Sequence, residues 1–141
     1  MTRLVVALSI VAVAVAVAFV VRRRRPDPPT QPAATVPAQL DRADFPRPEA
    51  PWLVAVFTSA TCHTCADVAA KVAVLASDDV AVTEAEYGTS RQLHARYRVD
   101  SVPMTVIADE AGVVRGSFLG PVTATDLWAA VAAAREDGTA Q

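Results

Sequence analysis

Cysteine and histidine are scarce in this sequence, which has two of each among its 141 residues. A structural zinc site takes four ligands, so it would need all of these residues: Cys62, Cys65, His63 and His94. His63 directly follows Cys62 and is predicted to point outward, and His94 is predicted on the solvent-facing side of a helix. Structural zinc is therefore disfavoured, and no metal ligands are assigned.

Basic residues are scarce after residue 25. Five of the 13 basic residues and none of the 15 acidic residues lie in residues 1–25, so the remainder carries eight bases against 15 acids. A phosphate-binding surface needs a basic face. The acidic balance therefore argues against nucleic acid as a partner.

A long hydrophobic run occupies residues 4–21, with Ser9 as its only polar residue. As a helix it spans about 27 Å, close to the roughly 30 Å of hydrocarbon in a bilayer. A cleaved signal peptide is the alternative, but in such a peptide the positive charges precede a shorter apolar stretch. Here the charges follow the run, at Arg22, Arg23, Arg24 and Arg25. We therefore predict an uncleaved transmembrane anchor with a basic flank over residues 1–25, with membrane lipid as the partner of residues 4–21.

The charges on either side of this run predict its orientation. The richer basic flank of a membrane helix stays in the cytoplasm. Arg3 and the amino terminus precede the run, whereas four consecutive arginines follow it. We expect a single-pass protein of the cell membrane with its globular domain in the cytoplasm.

Proline is concentrated in residues 26–51, which hold eight of the ten prolines. Because proline lacks an N–H and clashes with the preceding turn, this segment cannot form a helix or a central strand. We predict a proline-rich, extended linker. It ends in a lead-in, LDRADF at residues 40–45, that is either a short edge strand or an approach to the domain.

Residues 52–136 alternate between strand-like and helix-like patterns, and residues 137–141 form a tail. The apolar run at 52–57 is typical of a strand that is buried on both faces. The predicted order is a strand at 52–57, a helix at 62–76, a strand at 80–86, a helix at 90–97, strands at 104–108 and 113–119 joined by a turn, and a final helix capped by Thr123 or Thr125. The apolar faces of the first and last helices carry Val68, Val72 and Leu75, and Leu127, Trp128 and Val131, respectively. Parallel pairing followed by a hairpin gives an α/β mixed sheet flanked by helices.

Four motifs follow one another in this domain: FTSATCHTC at 57–65, YRVDSVP at 97–103, IADEAGVV at 107–114 and FLGP at 118–121. Together they resemble the thioredoxin family over residues 52–135. The resemblance implies a thioredoxin-like fold and thiol–disulfide exchange. The fold is expected to be trimmed, because the segment between Phe45 and Trp52 is too short for the family's first helix.

The two cysteines are open to three interpretations: a redox pair, a soft-metal site, or two small buried side chains. Exchange needs a thiolate that attacks and a second thiol that resolves the mixed disulfide. The pattern places Cys62 at a helix N-terminus, where the dipole stabilises a thiolate, and Cys65 on the same face. We predict Cys62 as the nucleophile and Cys65 as the resolving thiol, with their disulfide as the redox-active group and no other cofactor.

Five neighbours are predicted to support the pair: Thr61, His63, Thr64, Val102 and Pro103. By the resemblance, Pro103 is the family's cis-proline, and Val102 then presents its backbone to an extended substrate segment. Thr61 is assigned to the substrate surface or to a cap. His63 and Thr64 are predicted to tune the pair, because an imidazolium at His63 would favour the neighbouring thiolate. A plain exposed histidine is the alternative.

The sequence departs from the family pattern at Val56, where many relatives carry a buried aspartate that accepts the proton of the resolving thiol. Glu84 matches the position of that aspartate's lysine partner on the next strand. By alternation it shares a strand face with Val80, Val82 and Glu86. We hypothesise that Glu84 supplies the missing acid, with an ordinary solvated glutamate as the alternative.

These observations predict a membrane-tethered thioredoxin-like protein that reduces protein disulfides. Its partners would be protein disulfides or dithiols and an upstream electron donor, in the service of cell redox homeostasis. Export of the domain would instead favour oxidation or isomerisation. The alternative function is a non-catalytic tethered module that binds a soft metal or a partner protein.

Overall fold

A computed structural model of the chain describes residues 35–139. The elements in chain order are a 3₁₀ helix (Arg42–Asp44), β1 (Trp52–Thr58), α1 (Cys65–Ala73), β2 (Val80–Glu86), α2 (Arg91–Arg96), β3 (Met104–Ala108), β4 (Val114–Leu119) and α3 (Ala124–Thr139). The predicted anchor at 1–25 lies outside the described residues, as does the linker up to residue 34. Between residues 35 and 139, no helix is both long and apolar enough to cross a membrane.

The four strands form one mixed sheet in the order β2-β1-β3-β4. β1 runs parallel to β2, while the β1–β3 and β3–β4 pairs are antiparallel. The expected α/β mixed sheet flanked by helices is confirmed. The predicted bounds of β2 and β3 are those of the structure, and β1 extends one residue further, to Thr58.

Hydrophobic clusters cover both faces of the sheet around β1, whose seven residues are all buried. One cluster includes Leu53, Ala55, Phe57, Phe45, Tyr97 and Met104. The other includes Trp52, Val54, Val56, Val68, Val72, Leu127 and Val131. Alternate side chains of β1 thus enter opposite clusters. This explains why a continuous apolar run, and not an alternating one, encodes the strand.

The lead-in at 40–45 contains the 3₁₀ helix Arg42–Asp44 and no strand, so its interpretation as an edge strand is wrong. The side chain of Asp41 accepts the N–H of Ala43 at 3.0 Å, which starts a turn in place of an extended strand. The Leu40 N–H donates to Gly112 O at 2.8 Å. Gly112 has φ +77°, and a Cβ there would lie 1.9 Å from Leu40 O, so this close approach requires glycine. The segment is a lead-in anchored to the β3–β4 turn.

Two helical residues, Trp128 and His94, differ from the prediction in their exposure to solvent. Trp128 was expected on the buried face of the last helix, but it is 50 % exposed. The buried stripe is instead Leu127, Val131 and Ala134, spaced four and three residues apart, and Trp128 lies about 100° around the helix from Leu127. The other residue is His94.

His94 was predicted to be exposed and is 3 % exposed, so that prediction is wrong. Its Nε2 donates to the carbonyl oxygen of Ala85 at 2.8 Å. Its ring packs edge-on against those of Phe57 and Tyr87. A hydrogen bond to the backbone of β2 and two aromatic contacts offset the cost of burying the imidazole. His94 therefore joins α2 to the sheet.

Candidate redox-active site

The candidate site lies at one edge of the sheet, where four chain segments meet. Phe57, near the end of β1, pairs with Met104, the first residue of β3. Met104 in turn pairs with Leu119, the last residue of β4. Thr58 pairs with Glu86, the last residue of β2. The segments that follow β1, β2 and β4 and the segment that precedes β3 therefore share this edge.

The segment between β1 and α1, residues 59–64, is here called the redox loop. The N–H of Cys62 donates to Ser59 O at 3.0 Å, and the N–H of Cys65 donates to Cys62 O at 3.4 Å. Helix α1 begins at Cys65, with Thr64 as its N-cap. The predicted helix start at Cys62 is wrong, because the turn closed by Ser59 occupies residues 59–62. Cys62 thus precedes the helix by three residues.

Cys62 and Cys65 form a disulfide with an S–S distance of 2.15 Å and a Cα–Cα distance of 5.4 Å. Cys65 is 2 % exposed and lies at the start of α1. Cys62 is only partly buried. An incoming thiol or disulfide therefore has better access to the sulfur of Cys62 than to that of Cys65.

The other predicted residues of the redox loop are exposed. The Oγ1 of Thr64 lies 3.8 Å from the Sγ of Cys62. The Oγ1 of Thr61 lies 3.1 Å from the Oγ of Ser59, so Thr61 contributes to the turn. His63 is exposed between the cysteines, as predicted.

The Val102–Pro103 peptide bond is cis, as the resemblance implies. Pro103 is buried, and its carbonyl oxygen accepts the N–H of Gly120 at 2.8 Å. The pair directly precedes β3, at the edge that carries the redox loop. Leu119, the neighbour of Gly120, is 45 % exposed at the same edge. An exposed apolar side chain thus lies at the same end of the sheet as the cis bond.

Glu84 pairs with Val56 across the parallel strands β1 and β2. Val56 is 1 % exposed, so an apolar side chain occupies the position at which the resemblance implies an aspartate. Glu84 itself is exposed. Its Oε1 accepts the hydroxyl of Thr58 at 2.7 Å, and Thr58 is 1 % exposed. The carboxylate therefore lies beside the last residue of β1, where the redox loop begins.

Glu86 was placed by sequence on the face shared with Glu84 but was not assigned to the site. Its Oε1 accepts the N–H of Ala60, inside the redox loop, at 3.2 Å. Its Oε2 accepts the N–H of Thr89 at 3.1 Å. The N–H of Gly88 is the main cause that holds the pKa of Glu86 below its ordinary value, with smaller contributions from Thr89 and Ala60. The carboxyl ends of parallel strands meet at one edge, and that rule could have identified Glu86.

Among residues 35–139, no group of three or more histidine, cysteine, aspartate or glutamate side chains is placed to hold a metal ion. His94, the second histidine, is held by the Ala85 carbonyl.

Solved structures similar to this chain include thioredoxins. A mutant thioredoxin from Halobacterium salinarum has 21% identity and a TM-score of 0.53, with 60% of this chain and 75% of that chain covered. Mitochondrial thioredoxin 3 from Saccharomyces cerevisiae, in its oxidised form, has 20% identity and a TM-score of 0.50, with 60% and 79% covered. Thioredoxin from Fasciola hepatica has 24% identity and a TM-score of 0.50, with 58% and 79% covered. No protein-family model and no curated protein matches the chain. The chain therefore has a thioredoxin-like α/β fold that carries a C-x-x-C disulfide.

Proposed function

We propose that this protein is a membrane-tethered thiol–disulfide oxidoreductase that reduces protein disulfides through Cys62 and Cys65. The main support is one observation: a partly exposed Cys62 is joined by a disulfide to a Cys65 that is 2 % exposed. A reactive sulfur must be accessible, whereas the resolving sulfur must be held close and kept from competing partners. The thioredoxin-like fold and the cis bond at Val102–Pro103 add to this support.

The proposed reaction moves two electrons from the protein to its substrate. The Cys62 thiolate attacks one sulfur of the substrate disulfide, so a mixed disulfide forms and one substrate thiolate leaves. The Cys65 thiolate then attacks the Sγ of Cys62, which forms the Cys62–Cys65 disulfide and releases the second substrate thiolate. The substrate is reduced to a dithiol, the protein is oxidised, and an upstream dithiol must reduce it again. No cofactor beyond this disulfide is needed.

Neighbouring groups are assigned supporting roles in this proposal. The backbone of Val102 would hold an extended substrate segment beside Cys62, and the exposed side chain of Leu119 would contact it. Glu84 would accept the proton that Cys65 loses before it attacks; this role is supported by the hydrogen bond of its carboxylate to Thr58, where the redox loop begins. An imidazolium at His63 would favour the thiolate of the adjacent Cys62.

Reduction is proposed over oxidation because of the predicted compartment. The four arginines at 22–25 favour a cytoplasmic domain, and the cytoplasm keeps thiols reduced. A reporter fused to the C-terminus and active only outside the cytoplasm tests this assignment. Activity of that reporter would overturn the cytoplasmic orientation and, with it, the preference for reduction.

Insulin reduction by the full-length chain in mild detergent tests the reaction. Turnover should be abolished by Cys62→Ser. The matched variant Cys65→Ser should still attack and should accumulate a mixed disulfide through Cys62. Equal turnover by Cys62→Ser and the unchanged chain would refute the proposal. Stoichiometric Cu(I) binding without any turnover would favour the non-catalytic module instead.

A further inference from the structure

The side chain of Glu86 joins the redox loop to the turn between β2 and α2. Its Oε1 accepts the N–H of Ala60, which precedes Cys62 by two residues. Its Oε2 accepts the N–H of Thr89 in the turn. Consecutive Cα atoms lie about 3.8 Å apart, so the Cα atoms of Ala60 and Cys62 are at most about 7.6 Å apart. One carboxylate thus holds two separate backbone segments close to the nucleophilic sulfur.

This contact begins where the β1–β2 pairing ends. The register of the two strands ends at Thr58 and Glu86, and the N–H of Tyr87 donates to Thr58 O at 2.9 Å. Past this point the two segments separate: the one after β1 leads to Cys62, and the one after β2 leads to α2. Beyond the last strand pair, the Glu86 carboxylate connects the two segments through its hydrogen bonds to Ala60 and Thr89.

The contact requires a carboxylate of this length. Two oxygens are needed, because the N–H groups of Ala60 and Thr89 approach from different segments. An amide of the same length offers only one acceptor oxygen, and a shorter acid has less reach. The backbone N–H of Gly88 also stabilises the charged form and is the main cause of the lowered pKa of Glu86.

We propose that Glu86 is a positioning residue for the redox pair, and this inference rests on the proposed function. Cys65 is fixed by its burial at the start of α1, whereas Cys62 lies in a loop. By holding Ala60, Glu86 limits the movement of Cys62 and so raises its effective concentration toward Cys65. The dithiol then closes to the disulfide more readily, which makes the protein a stronger reductant.

The test measures the equilibrium in which the protein dithiol and glutathione disulfide give the protein disulfide and two glutathione molecules. Full-length chains are equilibrated in glutathione buffers, and free thiols are trapped and counted. Glu86→Ala removes the contact, and Glu86→Asp keeps the charge but shortens the reach. Glu86→Gln removes the charge but keeps one oxygen for Ala60.

Gly88→Ala is a further variant that leaves the acid itself unchanged. A Cβ at residue 88 would lie 2.8 Å from the Oε2 of Glu86, so the carboxylate must move away. The backbone of Gly88 does not have positive φ, so alanine is tolerated there. Glu110→Ala, in the exposed turn between β3 and β4, is the control for loss of one surface acid. Urea unfolding of each reduced variant checks that it is folded.

We expect Glu86→Ala, Glu86→Asp and Gly88→Ala each to lower the equilibrium constant by about threefold to tenfold, which corresponds to the net contribution of one typical hydrogen bond. Glu86→Gln should lower it less, and Glu110→Ala should not change it. Gly88→Ala should have no further effect in the Glu86→Ala background, because both act through the same contact.

Two results would overturn the inference. Equilibrium constants of Glu86→Asp and Gly88→Ala that match the unchanged chain would show that the contact does not position Cys62. Equal effects of Glu86→Gln and Glu86→Ala, with none from Glu86→Asp, would show that charge alone matters. Because the assay contains no protein substrate, failure of insulin reduction with these Glu86 effects intact would refute only the proposed function.

Discussion

Reduction of the Cys62–Cys65 disulfide is expected to lower the free energy of unfolding by about 2 kcal/mol, the chain-entropy value for a closed loop of four residues. The two cysteines are three positions apart in sequence, so the bond restricts the unfolded chain only slightly. The two clusters around β1 do not depend on this bond. The reduced protein should therefore remain folded, as the proposed redox cycle requires.

The value of about 2 kcal/mol also predicts how folding changes the stability of the disulfide relative to the dithiol. By thermodynamic linkage, a disulfide that stabilises the fold by about 2 kcal/mol is itself favoured about thirtyfold in the folded chain over the unfolded chain. A folded state that favours the disulfide makes the dithiol a reductant. A folded state that favours the dithiol makes the disulfide an oxidant.

Urea unfolding of the oxidised and reduced full-length chain measures this difference. Trp52 is 8 % exposed and Trp128 is 50 % exposed, so the change in fluorescence on unfolding mainly reports Trp52. The double variant Cys62→Ser/Cys65→Ser should match the reduced protein, which controls for the reductant. Greater stability of the reduced chain would refute the reasoning and would point to an oxidant.

Three further predictions concern other residues. Leu127→Ala should lower the free energy of unfolding by about 3 kcal/mol and Trp128→Ala by less than about 1 kcal/mol, because Leu127 is fully buried and Trp128 is half exposed. Urea unfolding measures both values, and equal values would contradict the orientation of α3. Burial, and then the hydrogen bond to Asp44, raises the pKa of Tyr97 above 10.0. Its neutral form therefore stabilises the fold below pH 10, and this stabilisation is lost as pH rises through the raised pKa. The absorbance titration of the folded chain should include this raised pKa, and Tyr97→Phe should remove it. Glu84→Gln should slow the resolution of a Cys62 mixed disulfide by at least about tenfold in rapid-quench measurements, and an unchanged rate would exclude Glu84 as the proton acceptor.

The strands could be predicted from sequence because local composition determines them. The run at 52–57 is apolar at every position, and a strand covered on both faces has this pattern. The alternation at 80–86 and the apolar run at 104–108 likewise led to the bounds that the structure has. In each case the side chains of the strand itself carry the signal.

The features that sequence did not predict depend on contacts between distant residues. The burial of His94 follows from a carbonyl oxygen on β2 and from the rings of Phe57 and Tyr87. The start of α1 at Cys65 depends on the turn closed by Ser59. The contact of Glu86 with Ala60 exists only because β1 and β2 end side by side. None of these features leaves a periodic pattern in the sequence.

The anchoring of the lead-in has a mechanical consequence. Leu40 is bound to Gly112, in the turn at the far end of β3, and Asp41 is bound to the hydroxyl of Tyr97. That end of the sheet and the redox loop are separated by the length of β1, about 20 Å for seven residues. Tension applied through the chain that precedes Ala38 would first load the hydrogen bond from the N–H of Val114 to Ala38 O, and then the bonds of Leu40 and Asp41. The Cys62–Cys65 bond lies off that force path, so pulling on the lead-in would leave the geometry of the disulfide unchanged.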